Sequence, residues 1–336
     1  MTGMEFFKSQ ITCGERLGRI TSLNHTLYTI VSESSTYKGR LSGKLYYNLH
    51  ASSVLPAIGD WVVFEASNKE TALIQRVLQR KTELSRKKAG TAKEEQIIAA
   101  NVDVVFIVTA LTNEFNSRRL ERYVYQVYES GARPVIVCTK RDLCDALTDK
   151  ILEASSVAPG VPVYDIDGLT GEGIELLEKE LIPGETVSLI GSSGVGKSTL
   201  INQLLMEEKQ VTQAVREEDD RGRHTTTHRE LFSLPGGAYV IDTPGMREVQ
   251  LWGDEKNVDA AFSDIGALSL ACKFRDCQHN QEPGCAVKQA IQEGQLEITR
   301  LKSYKKLKRE LERLDLKARH GTHKANRMLH GPKANR

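Results

Sequence analysis

The sequence predicts an α/β sheet domain standing between a small all-β unit and a helical, metal-binding unit, and three observations predict it. Apolar runs alternate with helical patterns from Val102-Asp103-Val104-Val105-Phe106-Ile107-Val108 to Ile241. Such alternation argues a sheet with its ligand at the strands' carboxyl ends. Before it come short β-rich runs such as Thr26-Leu27-Tyr28-Thr29-Ile30-Val31 and Trp61-Val62-Val63-Phe64, punctuated by Gly, Asn and Ser. After it come a segment bearing Cys and His and a long amphipathic helix pattern. At 336 residues the chain is long for one core. The expected boundaries are residues 1–88, 95–255 and 256–336, with Lys87 to Glu94 as a polar linker.

Three segments of the middle unit carry nucleotide chemistry. Gly191-Ser192-Ser193-Gly194-Val195-Gly196-Lys197-Ser198 matches G-x-x-x-x-G-K-[ST]. It follows the apolar run Thr186-Val187-Ser188-Leu189-Ile190 and opens a helix pattern from Thr199 to Leu205. Strand, Gly-rich turn and helix start are the context this phosphate cradle needs. Its successive N–H groups and the helix dipole favour phosphate. Lys197 is expected to reach the β- and γ-phosphates, Ser198 to ligate Mg²⁺, and Thr199 to join the nucleotide-binding set.

Asp242-Thr243-Pro244-Gly245 ends a second run, Ala238-Tyr239-Val240-Ile241. Asp242 there can hold Mg²⁺ through water, and the Gly245 N–H can approach the γ-phosphate. Alone, D-x-x-G usually marks a turn; downstream of a cradle it is a switch candidate. Thr139-Lys140-Arg141-Asp142 follows the run Pro134-Val135-Ile136-Val137-Cys138. Asp142 can accept hydrogen bonds from guanine N1 and N2, which adenine does not offer, and such a site rejects the analogue strongly. Thr139 stands where Asn is usual in such a base reader. In ordinary GTPases the cradle comes first and the base reader last. Here the base reader precedes the cradle, as cutting and rejoining the domain at new termini would give.

With these motifs the chain resembles the circularly permuted, small-ribosomal-subunit-dependent GTPases of bacteria (ribosome small subunit-dependent GTPase A). Gly222-Arg223-His224-Thr225-Thr226-Thr227 resembles that family's switch segment, and Gly59-Asp60-Trp61-Val62 a segment of its N-terminal barrel. Cys272, Cys277, His279 and Cys285 resemble its zinc ligands. Asp167-Gly168 departs from the usual Ser-Ala before Thr170–Gly173, which makes the second base loop unconventional. The resemblance implies a permuted P-loop GTPase domain, an OB-like RNA-binding barrel before it and a zinc-binding helical unit after it. It also implies a cytoplasmic, monomeric GTP hydrolase that cycles between GTP and GDP and is stimulated by the small ribosomal subunit. Through 16S rRNA it would time a late step of 30S maturation and its own release.

Many GTPases place Gln after the D-x-x-G glycine to orient water, but Met246 occupies that position. His224 is the candidate for that role, with a solvated loop histidine as the alternative. Thr227 is favoured to complete Mg²⁺ coordination, with Thr226 next.

The four metal residues follow the pattern Cys272-x4-Cys277-x-His279-x5-Cys285. Three thiolates and an imidazole form a closed structural zinc set. Of six cysteines, Cys13, Cys138 and Cys144 remain as free thiols, which fits a reducing compartment. No apolar stretch approaches the roughly 20 residues of a membrane span, and the first residues lack the pattern of a secretory signal. Ile298, Leu301, Tyr304, Leu307, Leu311 and Leu314 recur at helical spacing.

The overall charge of +2 hides an asymmetry: residues 301–336 hold 12 Lys and Arg against 3 Asp and Glu, a net +9, leaving −7 on residues 1–300. A basic end beside a zinc segment points to RNA backbone. The reading from another class is an RNA-binding structural module whose GTP state sets affinity. An ATP-driven enzyme is opposed by Asp142.

Overall fold

The computed structural model describes residues 3–24, 26–33, 35–52, 55–87, 95–112, 115–206, 229–242 and 258–320. The chain forms two compact units. One holds Met1–Phe115, Ser130–Leu147 and Pro162–Val249; the other holds Asn116–Glu129, Thr148–Val161 and Gln250–Arg336.

The first unit begins with a short helix, α1 (Gly3–Lys8), followed by β1 (Arg16–Asn24), β2 (Leu27–Ser32) and β3 (Ser35–Leu41). After α2 (Gly43–Ser52) come β4 (Trp61–Ala66) and β5 (Thr71–Val77). β1, β2 and β3 pair antiparallel in turn, with Ile20 opposite Ile30 and Ile30 opposite Tyr37. β3 then runs parallel to β5, β5 pairs with β4, and β4 returns to β1 with Val62 opposite Gly18. The order β1-β2-β3-β5-β4, closed back on β1, is an OB-type barrel. Closure leaves Ile20, Ile30, Val62, Phe64 and Ile74 at most 3% exposed inside it. Each such side chain contributes about 1.5–3 kcal/mol by leaving water.

A two-stranded ribbon follows, β6 (Glu83–Lys87) with β7 (Glu95–Ala100), in antiparallel register. Lys87 therefore closes a strand rather than opening a linker, and residues 88–94 lie outside the described residues. Next come β8 (Val104–Ala110), α3 (Ser117–Ser130), β9 (Arg133–Thr139), α4 (Leu147–Val157) and β10 (Val163–Asp165). α5 (Ile174–Glu178), β11 (Thr186–Ile190), α6 (Lys197–Leu205), β12 (Arg229–Ser233) and β13 (Tyr239–Asp242) follow.

The sheet order is β10-β9-β8-β11-β13-β12, parallel except for β12. Parallel strands covered on both faces read as continuous apolar runs. Accordingly β11 is buried at every residue, and Leu177, Leu200, Ile201 and Leu204 from α5 and α6 pack with Phe106, Val135 and Val187. The chain moves outward from β8 to β10 and returns beside β8 as β11. That reversal is the place where such sheets bind ligands.

The barrel joins this sheet through β1, whose Ser22 lies opposite Glu230 of β12. Gly59 adopts a φ of +87°, and a Cβ there would collide with the Ala100 carbonyl oxygen. Beside it the fully buried Asp60 takes both 2.7 Å hydrogen bonds of a forked Arg80 guanidinium and a third from the Ala57 N–H.

In the second unit, α7 (Val258–Ala261), α8 (Ser263–Ser269), α9 (Ala286–Gln292) and α10 (Ile298–His320) join α3 and α4. Leu301, Tyr304, Leu307 and Leu311 of α10 are buried, as their spacing requires. Ile298 is not: as the first residue of the helix it is 54% exposed, and Leu314 is half-buried. Arg300 fixes the helix ionically, with Nε and Nη2 on the two Asp264 oxygens at 3.0 Å and Nη2 also on the Ala261 carbonyl. Its guanidinium lies 4.0 Å from the Phe262 ring centroid. Among the described residues no helix is long and apolar enough to cross a membrane.

Removing Arg80 strands the Asp60 carboxylate in the interior, the costly way to break a buried pair. Arg80→Ala should lower unfolding stability by about 3–5 kcal/mol, measured by urea denaturation; a loss within experimental error would show that Asp60 finds another partner.

Candidate active site and metal centre

The carboxyl edge of the parallel strands carries the nucleotide motifs. β11 delivers the loop from Gly191 to Gly196, and α6 begins at Lys197. Gly191 sits so close to β8 that a Cβ would run into the Val108 carbonyl oxygen, so only glycine lets the loop turn there. Gly194 and Gly196 also take left-handed φ values, 75° and 96°. Val195 is buried and anchors the loop in the core, while Ser193, Gly194 and Ser198 are exposed and Ser192 and Thr199 half-buried. The Lys197 ammonium donates to the Gly191 and Ser192 carbonyls at 2.8 and 2.6 Å, which holds its charge over the loop.

β9 delivers the candidate base-reading segment. Thr139 ends the strand, and its hydroxyl donates to the Val195 carbonyl at 2.7 Å. Lys140 is left-handed at φ 58°, and Asp142 lies exposed in a short 3₁₀ turn, Arg141–Leu143. Arg141 reaches Asp165 at 3.3 Å and Glu172 at 3.1 Å, tying this turn to the end of β10. There the loop from Asp167 folds on itself, with Asp167 Oδ1 accepting from the Leu169 and Thr170 N–H groups. These bonds hold the Asp167 carboxyl below its usual range. Gln203 of α6 donates to the Gly168 carbonyl at 3.2 Å, so the unconventional Asp167-Gly168 loop is fastened to the helix that starts at Lys197.

β13 ends at Asp242, half-buried on the strand beside β11. Burial pushes its carboxyl up, against the opposing pull of the Lys197 charge. Gly245, Met246, His224, Thr225, Thr226 and Thr227 lie outside the described residues. Cys138 is a core thiol, pushed up to about 12 by burial.

Sequence reasoning named Val195 in the cradle but not the role of its carbonyl, and it missed Arg141 and Gln203 beside the loops. None belongs to a fixed position of a motif, and only the spatial neighbourhood reveals them.

In the second unit the ligand atoms of Cys272, Cys277, His279 and Cys285 all lie within 4.8 Å of one another. His279 Nδ1 is 3.7 Å from Cys272 Sγ and 3.4 Å from Cys285 Sγ, and the two sulfurs are 4.0 Å apart. Four-coordinate tetrahedral bonds of about 2.3 Å to sulfur and 2.0–2.1 Å to nitrogen imply about 3.8 Å between sulfurs and 3.5 Å between sulfur and nitrogen. The cluster has the size and donors of such a site.

His279 Nε2 faces the Ser269 hydroxyl at 3.1 Å, and that hydroxyl donates to the Ile265 carbonyl. The serine oxygen therefore accepts from Nε2–H, leaving Nδ1 free of its proton and turned to the thiols, the outer support a metal-bound imidazole needs. Burial lowers the His279 pKa, with the Lys305 charge adding to the effect, and so favours the neutral, ligating form.

A model of the RsgA GTPase family matches residues 77–252. The Small ribosomal subunit biogenesis GTPase RsgA 2 of Lactiplantibacillus plantarum is 44% identical over 306 residues, 91% of this chain and 86% of that one. The Small ribosomal subunit biogenesis GTPase RsgA of Opitutus terrae is 47% identical over 80% of this chain and 76% of its own. Among solved structures, YjeQ from Thermotoga maritima superposes with a TM-score of 0.68 at 27% identity, over 88% of this chain and 98% of that one. YloQ, described as a circularly permuted GTPase, shares the fold with a TM-score of 0.65 at 24% identity, over 89% of this chain and 96% of its own.

Cys277→Ser should lower zinc content and destabilise the second unit while sparing nucleotide binding, because a structural metal's binding energy is folding energy. Metal analysis finding full occupancy in a well-folded variant would remove Cys277 from the ligand set.

Proposed function

The chain belongs to the RsgA GTPase family, and from that premise we propose that it binds the small ribosomal subunit through 16S rRNA and hydrolyses GTP to time a late step of 30S maturation and its own release. The observation that carries this reading is the contact from Thr139 to Val195. It fastens the base-reading segment to a phosphate loop that comes later in the chain, so the permuted order still yields one cleft. The names of the relatives, small ribosomal subunit biogenesis GTPases, support the partner. Residues 1–88 form the RNA-binding barrel of this reading, 95–255 the GTPase domain and 256–336 the zinc unit with its basic tail. The protein works in the cytoplasm as a monomer.

In the cleft, Asp142 accepts from guanine N1 and N2, and Thr139 and Lys140 complete the base-reading turn. The N–H groups from Gly191 to Ser198, with Thr199, wrap the phosphates at the start of α6, where the helix dipole favours negative charge. Lys197 turns its ammonium from the loop carbonyls to the β- and γ-phosphates. The Ser198 hydroxyl, Thr227 and, through water, Asp242 supply the oxygen donors that suit Mg²⁺. Bound there, the ion neutralises charge on the phosphate oxygens. The Gly245 N–H meets the γ-phosphate and His224 orients the water. The Cys3His set holds one structural Zn²⁺ and takes no part in hydrolysis.

Asp142→Asn should exchange guanine for xanthine preference, because the amide presents a donor where the carboxylate accepted. Unchanged GTP affinity and discrimination in that variant would show that Asp142 does not read the base.

Met246 denies the free enzyme a water-orienting amide, so turnover alone should be slow. Supplying a missing group accelerates other GTPases by roughly 10³–10⁵, and ordering an internal loop gives less, so small subunits should stimulate at least about tenfold. Removing residues 318–336 should weaken subunit binding and flatten its salt dependence, since fewer counterions are released. Steady-state rates with small subunits, large subunits and none decide the matter; equal rates would defeat the proposal and leave a generic GTPase.

A further inference from the structure

The first residue of the base-reading segment is a threonine where an amide is usual, and the geometry around it says how its one proton is used. Thr139 ends β9 and is 3% exposed. Its Oγ1 lies 2.7 Å from the Val195 carbonyl oxygen and 3.3 Å from that of Thr109 at the end of β8. Both neighbours are acceptors, and a hydroxyl carries a single proton. The shorter contact takes it, so β9 is tied to the phosphate loop and the side chain at this position has no proton left for a ligand. An amide here would have two N–H groups, one for the loop carbonyl and one to spare. Two N–H groups of the adjacent loop, those of Leu169 and Thr170, are likewise committed to Asp167 Oδ1.

We propose that Thr139 is a positioning residue for the phosphate loop and that the site therefore binds guanine by its Watson–Crick edge, leaving N7 without a hydrogen bond. N7 is an acceptor on the other edge of guanine, and engaging it needs a donor that Thr139 has already given away. The inference rests on the reading that Asp142 pairs with N1 and N2. It distinguishes this chain from a site with asparagine at the same position, which can hold the loop and meet N7 together.

Two analogues separate the two edges. 7-Deaza-GTP replaces N7 by C–H and keeps the Watson–Crick edge, whereas inosine triphosphate keeps N7 and lacks the N2 amino group. Equilibrium binding of GTP and both analogues, with Mg²⁺, is measured on the full-length wild-type protein and on Thr139→Asn, Thr139→Val and Thr139→Ser. The wild type should bind 7-deaza-GTP within about twofold of GTP, less than the loss of a typical hydrogen bond. It should bind inosine triphosphate at least about tenfold more weakly, because the Asp142 carboxylate loses a partner.

Thr139→Asn should acquire a penalty of about threefold or more against 7-deaza-GTP, the cost of one hydrogen bond. Thr139→Val should lose at least about fivefold in GTP affinity through the freed loop carbonyl, with the ratio of GTP to 7-deaza-GTP unchanged, and Thr139→Ser should restore binding. A wild-type penalty of about threefold or more for 7-deaza-GTP overturns the inference while leaving the Asp142 reading intact. Equal binding of GTP and inosine triphosphate instead removes that reading and the inference with it. The wild-type arms decide both points without a variant that must fold.

Discussion

The buried guanidinium of Arg19 is the contact on which the union of barrel and nucleotide sheet depends. It projects from β1, 7% exposed, and donates to the Thr186 hydroxyl at 2.6 Å, the first residue of the strand that feeds the phosphate loop. Weaker bonds reach the Gly59 and Asn101 carbonyls, and the charge sits over the rings of Trp61 and Tyr239 at 5.5 and 5.2 Å. Burial lowers its pKa to about 10, so it stays charged at neutral pH. A buried cation is tolerable only where dipoles and aromatic faces replace its water. Here they come from β4, β11, β13 and the β7–β8 junction, and each must be in place for the others to be satisfied. The Thr186 N–H is held in turn by Asp103 Oδ2, which fixes the start of β11 from its other side.

From that junction the permuted order becomes a matter of neighbours. The ligand edge is set by which strands are adjacent, and β9, β8, β11 and β13 are adjacent whatever their order along the chain. Cutting the domain elsewhere leaves the cleft unchanged. What it alters is the company the pieces keep. β12 pairs at once with β13, which ends at Asp242, and with β1 of the barrel. Force applied to the barrel therefore has a hydrogen-bonded route, two strands long, to a residue at the nucleotide edge.

Much of this was legible because the physics was local. The run Thr186–Ile190 is a strand at those same residues, since a segment buried on both faces must be apolar throughout. The tight turn after β11 was legible because glycine is required where the chain nears the Val108 carbonyl, and the Cys3His cluster because thiols and imidazole crowd a polar stretch. The rest depends on distant partners. Barrel closure needs the parallel β3–β5 pair and the β1–β4 pair, and no periodicity encodes either. Nothing in the sequence marks Arg19 as buried, because the Thr186 hydroxyl that receives it lies far away in the chain. The ribbon of β6 and β7 flanks a charged stretch, and its buried residues, Leu84 and Ile98 to Ala100, are too few to mark a strand period. Ile298 misled for the opposite reason: the spacing is right, but a first-turn residue has no preceding turn to help bury it.

The second unit solves a different problem. Residues 272–285 are too polar to fold around a hydrophobic core, with Lys273, Arg275, Asp276 and Glu282 exposed or half-buried along them. Small segments of that kind need a staple. The Cys3His cluster, whose ligand atoms lie within reach of a single ion, is placed to supply that staple. Glu282 accepts from the Gln278 and Asn280 N–H groups, and Lys305 of α10 donates to the His279 carbonyl at 2.7 Å. Through Lys305 the metal loop is fixed to α10, and through Arg300 the same helix is fixed to Asp264 and the Val157 carbonyl. One helix thus carries both anchors in its first half, the Cys3His loop at Lys305 and a buried guanidinium at Arg300. Between them the buried Leu301 and Tyr304 supply a modest core, and the polar anchors make up for what that core lacks.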